Sequence, residues 1–267
     1  MPYEKKKERK AIGMSYEKQA TQGTPAYIIY LLDISASMNG MMKSGQGEKK
    51  RIDVVASALQ SAIRQMVFRS TKGSRLSPRY RVSILAYSDY VFDVLGGPKG
   101  IDELAGKPPL KNIKTQRFTN TAKGFQAVED LLKEELPHLQ ECPAPLVCHM
   151  TDGEFTGEDP EAIVKRIQGL TVKDGNVLVE NIFISDDILK EPVLDPKKWD
   201  GIQEQTAFLD QYGMKLKKLS SPIPESYRTM MNETGYSIKE GAVMMLPGAN
   251  EDLVSLGFQM SAATPVR

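Results

Sequence analysis

The sequence predicts an α/β fold: a doubly wound, mostly parallel central sheet with one antiparallel edge strand and helices on both faces. Short, continuous apolar runs, beginning with residues 26–32, are typical of strands that are buried on both faces. Amphipathic segments, with apolar residues three or four positions apart, alternate with these runs along the chain. One pair of strand-like runs is separated only by Ser88 and Asp89, and so short a connection requires antiparallel pairing.

The first part of the chain supplies four of the expected strands and two of the helices. In order, the expected elements are a strand at 26–32, a polar Gly-rich loop at 39–50, a helix at 52–68, strands at 81–87 and 90–95, a long loop at 96–118, a helix at 121–136 and a strand at 145–150. In the first helix Val55, Leu59 and Ile63 recur on one face. Gly and Pro residues throughout 96–118 favour a loop there.

The alternation continues to the end of the chain. In order, we expect a helix at 160–167, a strand at 177–184, a helix near 202–212, a helix near 225–233, a strand at 242–246 and a last helix at 250–260. Pro160 suits the start of its helix, where a missing N–H donor costs nothing. Pro192, Pro196 and Pro222 interrupt residues 186–222, which we expect to be an insertion in the sheet-and-helix pattern.

The chain of 267 residues is long enough for one large α/β domain. Residues 1–24 are expected to form a charged, flexible N-terminal arm, because residues 5–10 are all charged, five of them Lys or Arg, with no long apolar segment after them. Residues 25–267 are expected to form a single domain that carries the insertion at about 186–222.

Composition excludes several functional classes. The formal net charge is +1, which favours neither nucleic acid nor an anionic membrane surface as a partner. No stretch resembles a signal peptide or reaches the roughly 18 apolar residues of a membrane helix, so a cytoplasmic location is expected. Cys142 and Cys148 lie in or beside apolar sequence and are expected to be buried free thiols.

Oxygen-bearing side chains follow two of the expected strands. Asp33, Ser35 and Ser37 come directly after the first strand, at alternate positions that point the same way in an extended segment. Asp152 follows the fourth strand, and Gly153 lets the backbone turn sharply there. In a doubly wound sheet, ligands bind beyond the carboxyl ends of the strands, so both groups are expected at one edge.

All the donors at this edge are hard oxygen atoms. Two carboxylates and several hydroxyls suit Mg²⁺, or Mn²⁺ or Ca²⁺, better than zinc or copper. His138 and His149 are not spaced as a ligand pair, which further weakens a zinc interpretation. Each fragment alone is more often a cap or a turn, and it is the combination at the expected strand ends that indicates a metal site.

The motif Asp33-x-Ser35-x-Ser37, the residue Thr119 and the segment 151–153 (Thr-Asp-Gly) resemble the metal-ion-dependent adhesion site of von Willebrand factor A (vWA) domains and integrin I domains. The segment 119–124, Thr-x-Thr-Ala-x-Gly, is similar to the second loop of that family. The resemblance covers residues 27–184, and the stretch 188–205 matches no part of the family pattern.

The resemblance implies a division of roles. Ser35 and Ser37 would contact the metal directly, Thr119 would do so in the ligand-bound state, and Asp33 and Asp152 would act directly or through water. A dication held mainly by neutral hydroxyls keeps much of its charge and can take an Asp or Glu side chain from a protein partner. The implied function is a metal-dependent protein-binding adaptor and not an enzyme, with the loops at 39–50, 96–118 and 154–159 around the metal.

Later segments narrow the resemblance. Residues 216–224, Gly235 with Tyr236, and residues 240–243 resemble bacterial cytoplasmic members of the family, including vWA proteins associated with tellurite resistance and stress response. Those members are encoded near kinase-like and phosphatase-like proteins, which would then be candidate partners.

Two other functions stay open at this point. A dication with two carboxylates could activate water in a hydrolase or phosphatase, although the sequence lacks a phosphate-binding loop and a Gly-x-Ser-x-Gly elbow, and His149 and Cys148 point to opposite faces of a strand. A scaffold with a degenerate metal site would gain no stability from added metal. Asp186 and Asp187 could form a second acidic site, although a turn or a helix cap is the commoner role.

Overall fold

The computed structural model describes residues 16–266 except 45–46, 109, 111–113 and 154–156. The strands, in chain order, are β1 (Ala26–Asp33), β2 (Met41–Ser44), β3 (Gly47–Lys50), β4 (Thr71–Lys72), β5 (Arg75–Leu76), β6 (Tyr80–Tyr87), β7 (Val91–Asp93), β8 (Lys99–Gly100), β9 (Leu146–Thr151), β10 (Thr171–Val172), β11 (Gly175–Asn176), β12 (Leu178–Phe183) and β13 (Met245–Pro247). The α-helices are α1 (Arg51–Ser70), α2 (Ile101–Leu104), α3 (Thr121–Glu135), α4 (Glu161–Gly169), α5 (Gln211–Leu219), α6 (Glu225–Glu233) and α7 (Glu251–Ser261).

The central sheet has the order β13-β12-β9-β1-β6-β7, and β8 also pairs with β6. The five strands from β13 to β6 are parallel, whereas β7 and β8 run antiparallel to β6. This confirms the predicted fold class. The second antiparallel strand, β8, lies with α2 inside the segment 96–118 that the sequence predicted to be a loop.

Burial on both faces of the sheet explains the continuous apolar runs. Every residue of β1 is buried, and Ile28 and Tyr30 contribute to the core beneath α1 and α7 while Ile29 and Leu31 contribute to the core beneath α3, α4 and α5. Since both faces of a parallel strand meet helices, no position on the strand is left for a solvated side chain. Within the described residues, no helix has the length and apolarity needed to span a bilayer.

Polar side chains cap the first turns of α3, α5 and α7. Asn120 accepts a hydrogen bond from the backbone N–H of Lys123, and Asn250 caps α7 in the same way. The helix predicted near 202–212 is wrong in position: α5 begins at Gln211, and Asp210 caps it through the N–H of Gly213.

Long-range contacts explain why the segment before α5 is not helical. Ile202 pairs with Val243, and Phe208 pairs with Leu189, in isolated β-bridges. Both apolar side chains are buried, and they contact other segments of the chain instead of sharing one face of a helix.

The polar loop predicted at 39–50 contains a hairpin formed by β2 and β3. Met38 and Met42 are buried in the core beneath α1 and α7, while Met41 is exposed. The buried methionines hold the hairpin against the body of the domain, which positions the chain immediately after the Asp-x-Ser-x-Ser motif.

A chain of buried hydrogen bonds crosses the sheet on the α3 and α5 face. The Tyr87 hydroxyl and His149 Nε2 are 2.8 Å apart, and His149 Nδ1 and Asn181 Oδ1 are 2.8 Å apart. The Asn181 amide donates to Ser220 Oγ at 2.9 Å. Because an amide oxygen only accepts, Nδ1 carries the proton and Nε2 accepts from Tyr87. His149 is therefore a satisfied core histidine, and burial lowers its pKa to about 4.

We predict that this histidine makes stability depend on acidity. Its stabilising contribution is fully present above the unfolded pKa of about 6.5 and is lost as the pH falls toward 4, because only the unfolded chain takes up the proton. His149→Asn should lower the free energy of unfolding by about 1–3 kcal/mol at pH 7.5, and the difference should shrink by about 3 kcal/mol at most on acidification.

Urea denaturation of both proteins at pH 7.5 and 4.5 measures the effect. The remaining titrating groups are common to both proteins and cancel in the difference. If the difference in the free energy of unfolding between the two proteins is the same or larger at pH 4.5, the assignment of a neutral histidine is contradicted.

Candidate metal centre

The two carboxylates predicted as metal ligands lie at the ends of neighbouring strands. Asp33 is the last residue of β1, and Asp152 directly follows β9, its hydrogen-bonded neighbour. From β1 the chain first goes to β6 on one side and later returns to β9 on the other. The carboxylates therefore flank the point where the strand order reverses, where the carboxyl edge of a doubly wound sheet opens.

The serines of the first motif converge above Asp33. One carboxylate oxygen of Asp33 accepts the backbone N–H of Ser35 at 2.8 Å. The hydroxyls of Ser35 and Ser37 are 2.9 Å apart. A 3₁₀ turn (Ala36–Asn39) begins between them, and its buried Met38 anchors it to the core. The sequence prediction that Asp33, Ser35 and Ser37 point to one place is thus met in the structure.

The loop that carries Thr119 is tied to the same edge by backbone hydrogen bonds. The N–H of Gln116 donates to the carbonyl of Ile34 at 2.7 Å, and the N–H of Asn120 donates to the carbonyl of Ser88 at 2.9 Å. Thr119 is buried between these two attachments. Three separate loops, after β1, before α3 and after β9, therefore meet at one edge.

Gly124 permits α3 to approach the sheet closely enough for this arrangement. A Cβ atom added there would lie 3.0 Å from the Tyr87 ring and 3.3 Å from Leu31. Gly153 has a positive φ of 92°, and a Cβ atom there would lie 2.4 Å from the Phe183 ring. Both glycines of the predicted motifs thus have a steric role beside the site.

The carboxylate of Asp33 is held by two hydrogen bonds in a buried position. Its second oxygen accepts the hydroxyl of Thr151 at 2.9 Å, and that hydroxyl accepts the N–H of Gly153 at 3.0 Å. Burial raises the pKa of Asp33 to about 6; the bonds from Ser35 and Thr151 oppose the shift, and the charge of Asp152 adds to it. A positive charge bound beside Asp33 would stabilise its ionised form.

Unpaired buried oxygens indicate that the donor set fits a cation. Asp152 Oδ1 is buried and has no hydrogen-bond partner among the described residues, and the same holds for the hydroxyl of Ser88 at the end of β6. A buried acceptor without a partner costs about 1–3 kcal/mol, and a metal ion would satisfy it. No cluster of three or more His, Cys, Asp and Glu side chains forms in the described part of the chain. Besides the two carboxylates, the described residues of this edge offer hydroxyl oxygens, and such a donor set suits a hard dication.

Sequence reasoning missed two side chains of this site. Thr151 was part of the recognised motif, but its role in holding Asp33 depends on the pairing of β1 with β9. Arg51, the first residue of α1, places Nη1 3.4 Å from Asp152 Oδ2. A signal for it existed, since a cation is unfavourable at a helix N-terminus.

Asp186, which the sequence offered for a second acidic site, lies outside the candidate metal centre. Asp186 is 47% exposed, and its Oδ2 is 4.0 Å from Arg51 Nη2; it does not join Asp33 and Asp152. Residues 154–156, part of the loop at 154–159 that the sequence placed around the metal, lie outside the described residues. A cleft of about 740 Å³ is lined by Tyr16, Gln168 and Ser221 near the start of β12. It lies at the opposite edge of the sheet, so cleft size does not mark the metal centre.

No family model matches the sequence, and no curated protein matches it. Among solved structures the chain is similar to the PilB minor pilin from Streptococcus sanguinis, with a TM-score of 0.53, 13% identity, and coverage of 89% of this chain and 60% of the pilin. The chain thus spans less than two thirds of that protein. At this identity the similarity establishes the fold alone.

Two further similarities have lower TM-scores and cover only part of each chain. One is to proximal thread matrix protein 1 from the mussel byssus, in a structure with a zinc-occupied MIDAS motif, with a TM-score of 0.45, 17% identity, and coverage of 62% of this chain and 39% of that one. The other is to the vWF domain of the type V pili tip protein Mfa5 from Porphyromonas gingivalis, with a TM-score of 0.37, 14% identity, and coverage of 50% and 39%.

We predict that Thr151→Val lowers the free energy of unfolding by about 1.5–3 kcal/mol, because a buried carboxylate loses a hydrogen bond. Thr151→Ser keeps the hydroxyl and is the matched control, with only the smaller loss of a methyl group. Urea denaturation at pH 7.5 without metal compares the three proteins. Equal stabilities of the Val and Ser variants would contradict the role assigned to the hydroxyl.

Proposed function

We propose that the protein is a vWA-like domain that binds one divalent cation, Mg²⁺ or alternatively Mn²⁺ or Ca²⁺, and uses it to capture an acidic side chain of a protein partner. The metal ligands are Asp33, Ser35, Ser37, Thr119 and Asp152. The observation that carries the proposal is the unpaired, buried oxygen of Asp152 beside a converged pair of serine hydroxyls.

The hydrogen bonds support different roles for the carboxylate of Asp33 and for the hydroxyls. Asp33 already accepts from Ser35 and Thr151, so its main contribution is a fixed negative charge beneath the serines. The hydroxyls are neutral, and a dication bound to them keeps most of its charge. Such an ion attracts a further anionic oxygen, which an Asp or Glu of another protein supplies.

The surroundings of the site favour a protein partner over a small molecule. Phe118 adjoins Thr119, Tyr90 lies in the turn after β6, and Met41 lies in the hairpin after the serine motif; all three side chains are exposed. Exposed aromatic and methionine side chains around a charged centre are typical of protein interfaces.

Binding, and not catalysis, is the proposed role because the described residues supply no histidine or cysteine at the site that could assist hydrolysis. His149 is fully buried with both ring nitrogens hydrogen-bonded. His138 lies in the turn that follows the far end of α3 from Thr119. Cys142 and Cys148 are both buried. Within the described residues, no histidine or cysteine is therefore available at the metal centre as a base or nucleophile.

The sequence resemblance in residues 216–224 and 240–243 supports a narrower proposal. In it the chain acts in the cytoplasm of a bacterium, in a stress-response complex similar to those of tellurite-resistance-associated vWA proteins. Kinase-like or phosphatase-like proteins are the proposed partners, and each would present an Asp or Glu side chain to the metal.

The first test is metal binding. Millimolar Mg²⁺ or Mn²⁺ should raise the Tm of the protein, because a ligand that binds only the folded state stabilises it by mass action. At a free metal concentration of 100 times the Kd the gain is about 2.7 kcal/mol. Asp33→Ala should abolish the shift measured by differential scanning calorimetry, while Asp53→Ala, at an exposed position of α1, should retain it.

The second test is partner capture. Immobilised protein is incubated with purified kinase-like or phosphatase-like candidates in Mg²⁺, washed, and eluted with EDTA. We expect capture by the unmodified protein and by Asp53→Ala, loss with Asp33→Ala, and loss when the contacting Asp or Glu of the partner is replaced by Ala. Capture that survives EDTA and Asp33→Ala unchanged would refute the proposed function.

A further inference from the structure

Arg51 places a positive charge inside the candidate metal centre. Its Nη1 is 3.4 Å from Asp152 Oδ2 and its Nη2 is 4.0 Å from Asp186 Oδ2. The side chain is only 19% exposed, and the Asp152 side chain is 2% exposed. The guanidinium thus lies between the segments that follow β9 and β12, next to Asp152, one of the two proposed metal-binding carboxylates.

This placement carries two energetic costs. Arg51 is the first residue of α1, where the helix dipole disfavours a cation. Its Nε is buried without a hydrogen-bond partner among the described residues, which leaves a donor unsatisfied. An exposed arginine at the same position would avoid the second cost, so the inward position of the side chain requires an explanation.

Close packing holds the guanidinium in this position. A Cβ atom at Gly40 would lie 3.4 Å from Arg51 Cζ and from Nε, and 2.9 Å from the carbonyl oxygen of Ser37. The backbone N–H of Arg51 donates to the carbonyl of Gly40 at 2.9 Å. The guanidinium is therefore enclosed by the loop that follows the metal serines on one side and by Asp152 on the other.

We propose that Arg51 is an internal counter-ion of the metal centre: it neutralises Asp152 when no metal is bound, and it shares that carboxylate with the bound cation. The sharing weakens cation binding and keeps the loaded centre positively charged. This proposal deepens the proposed function and rests on it, since it explains how the loaded centre attracts an acidic side chain.

The balance of charges supports this role. Asp33 and Asp152 together balance the formal charge of a dication, so without Arg51 the loaded centre would carry no net charge, although an ion held mainly by neutral hydroxyls would stay electrophilic. Arg51 adds one positive charge, which a single carboxylate from the partner then balances. Asp186 offsets this charge weakly, because it is half exposed and lies at the limiting distance of an ion pair.

The test compares Mn²⁺ binding, by isothermal titration calorimetry, in Arg51→Met and in the unmodified protein. Loss of a nearby like charge should lower the Kd for Mn²⁺ by about tenfold or more. Without metal, in EDTA, the Tm of Arg51→Met should be lower, because Asp152 is left buried without its counter-ion. The variant is therefore expected to gain more stability from Mn²⁺ than the unmodified protein does.

Two variants serve as controls. Arg64→Met removes the same charge from an exposed position of α1, and its Mn²⁺ affinity should stay within about twofold of the unmodified protein. Arg51→Lys keeps the charge and should stay within about threefold. If Arg51→Met fails to fold, Arg51→Gln, which retains a polar end group, replaces it in the same comparison.

The outcomes separate this proposal from the function on which it rests. A Kd for Mn²⁺ that is unchanged or weaker in Arg51→Met, beside normal binding by the unmodified protein, overturns the role of Arg51 and leaves the proposed function intact. Absence of Mn²⁺ binding in every variant overturns both. Tighter binding in both Arg51→Met and Arg64→Met overturns the local role, because net charge alone then explains the change.

Discussion

A carboxylate buried at the end of the central strand governs the architecture of the site. Asp33 ends an interior strand of the sheet and has no exposed surface. An ionised group in that position is unfavourable unless donors or a cation compensate it. One compensating bond comes from the backbone of Ser35 and the other from the hydroxyl of Thr151. The first bond shapes the turn that brings the serine hydroxyls together, and the second joins β1 to β9. The same two contacts that make the buried charge tolerable therefore also shape the candidate metal centre.

The remainder of the site follows from this arrangement. The pairing of β1 with β9 sets Asp152 beside Asp33, and the carbonyl of Ile34 holds the loop that leads to Thr119. The hydrogen bonds from Tyr87 through His149 to Asn181 link β6, β9 and β12, across the intervening β1, to the end of α5. A buried polar network in which every member is paired is rigid. The strands that lead into the loops with the proposed metal ligands are thus held together by a paired polar network.

The charges of the centre are linked through Asp152. This side chain has one oxygen facing Arg51 and one unpaired, so it connects an internal cation with the proposed metal position. Such a carboxylate can be neutralised in two ways, by the guanidinium alone or by the guanidinium and a metal together. In the proposed function, the strength of metal binding and the attraction for a partner's carboxylate would both depend on Arg51 and would change in opposite directions.

Local spacing was enough to predict the sheet-and-helix alternation, the antiparallel edge strand at 90–95 and the convergence of Asp33, Ser35 and Ser37, because each depends on residues a few positions apart. The limits of α6 could be predicted for the same reason. The pairings of Ile202 with Val243 and of Phe208 with Leu189, and the contacts of Thr151 and Arg51, could not. Each joins residues far apart in the chain, and the hydrogen bond or buried surface that stabilises it exists only after the strands and helices have packed together.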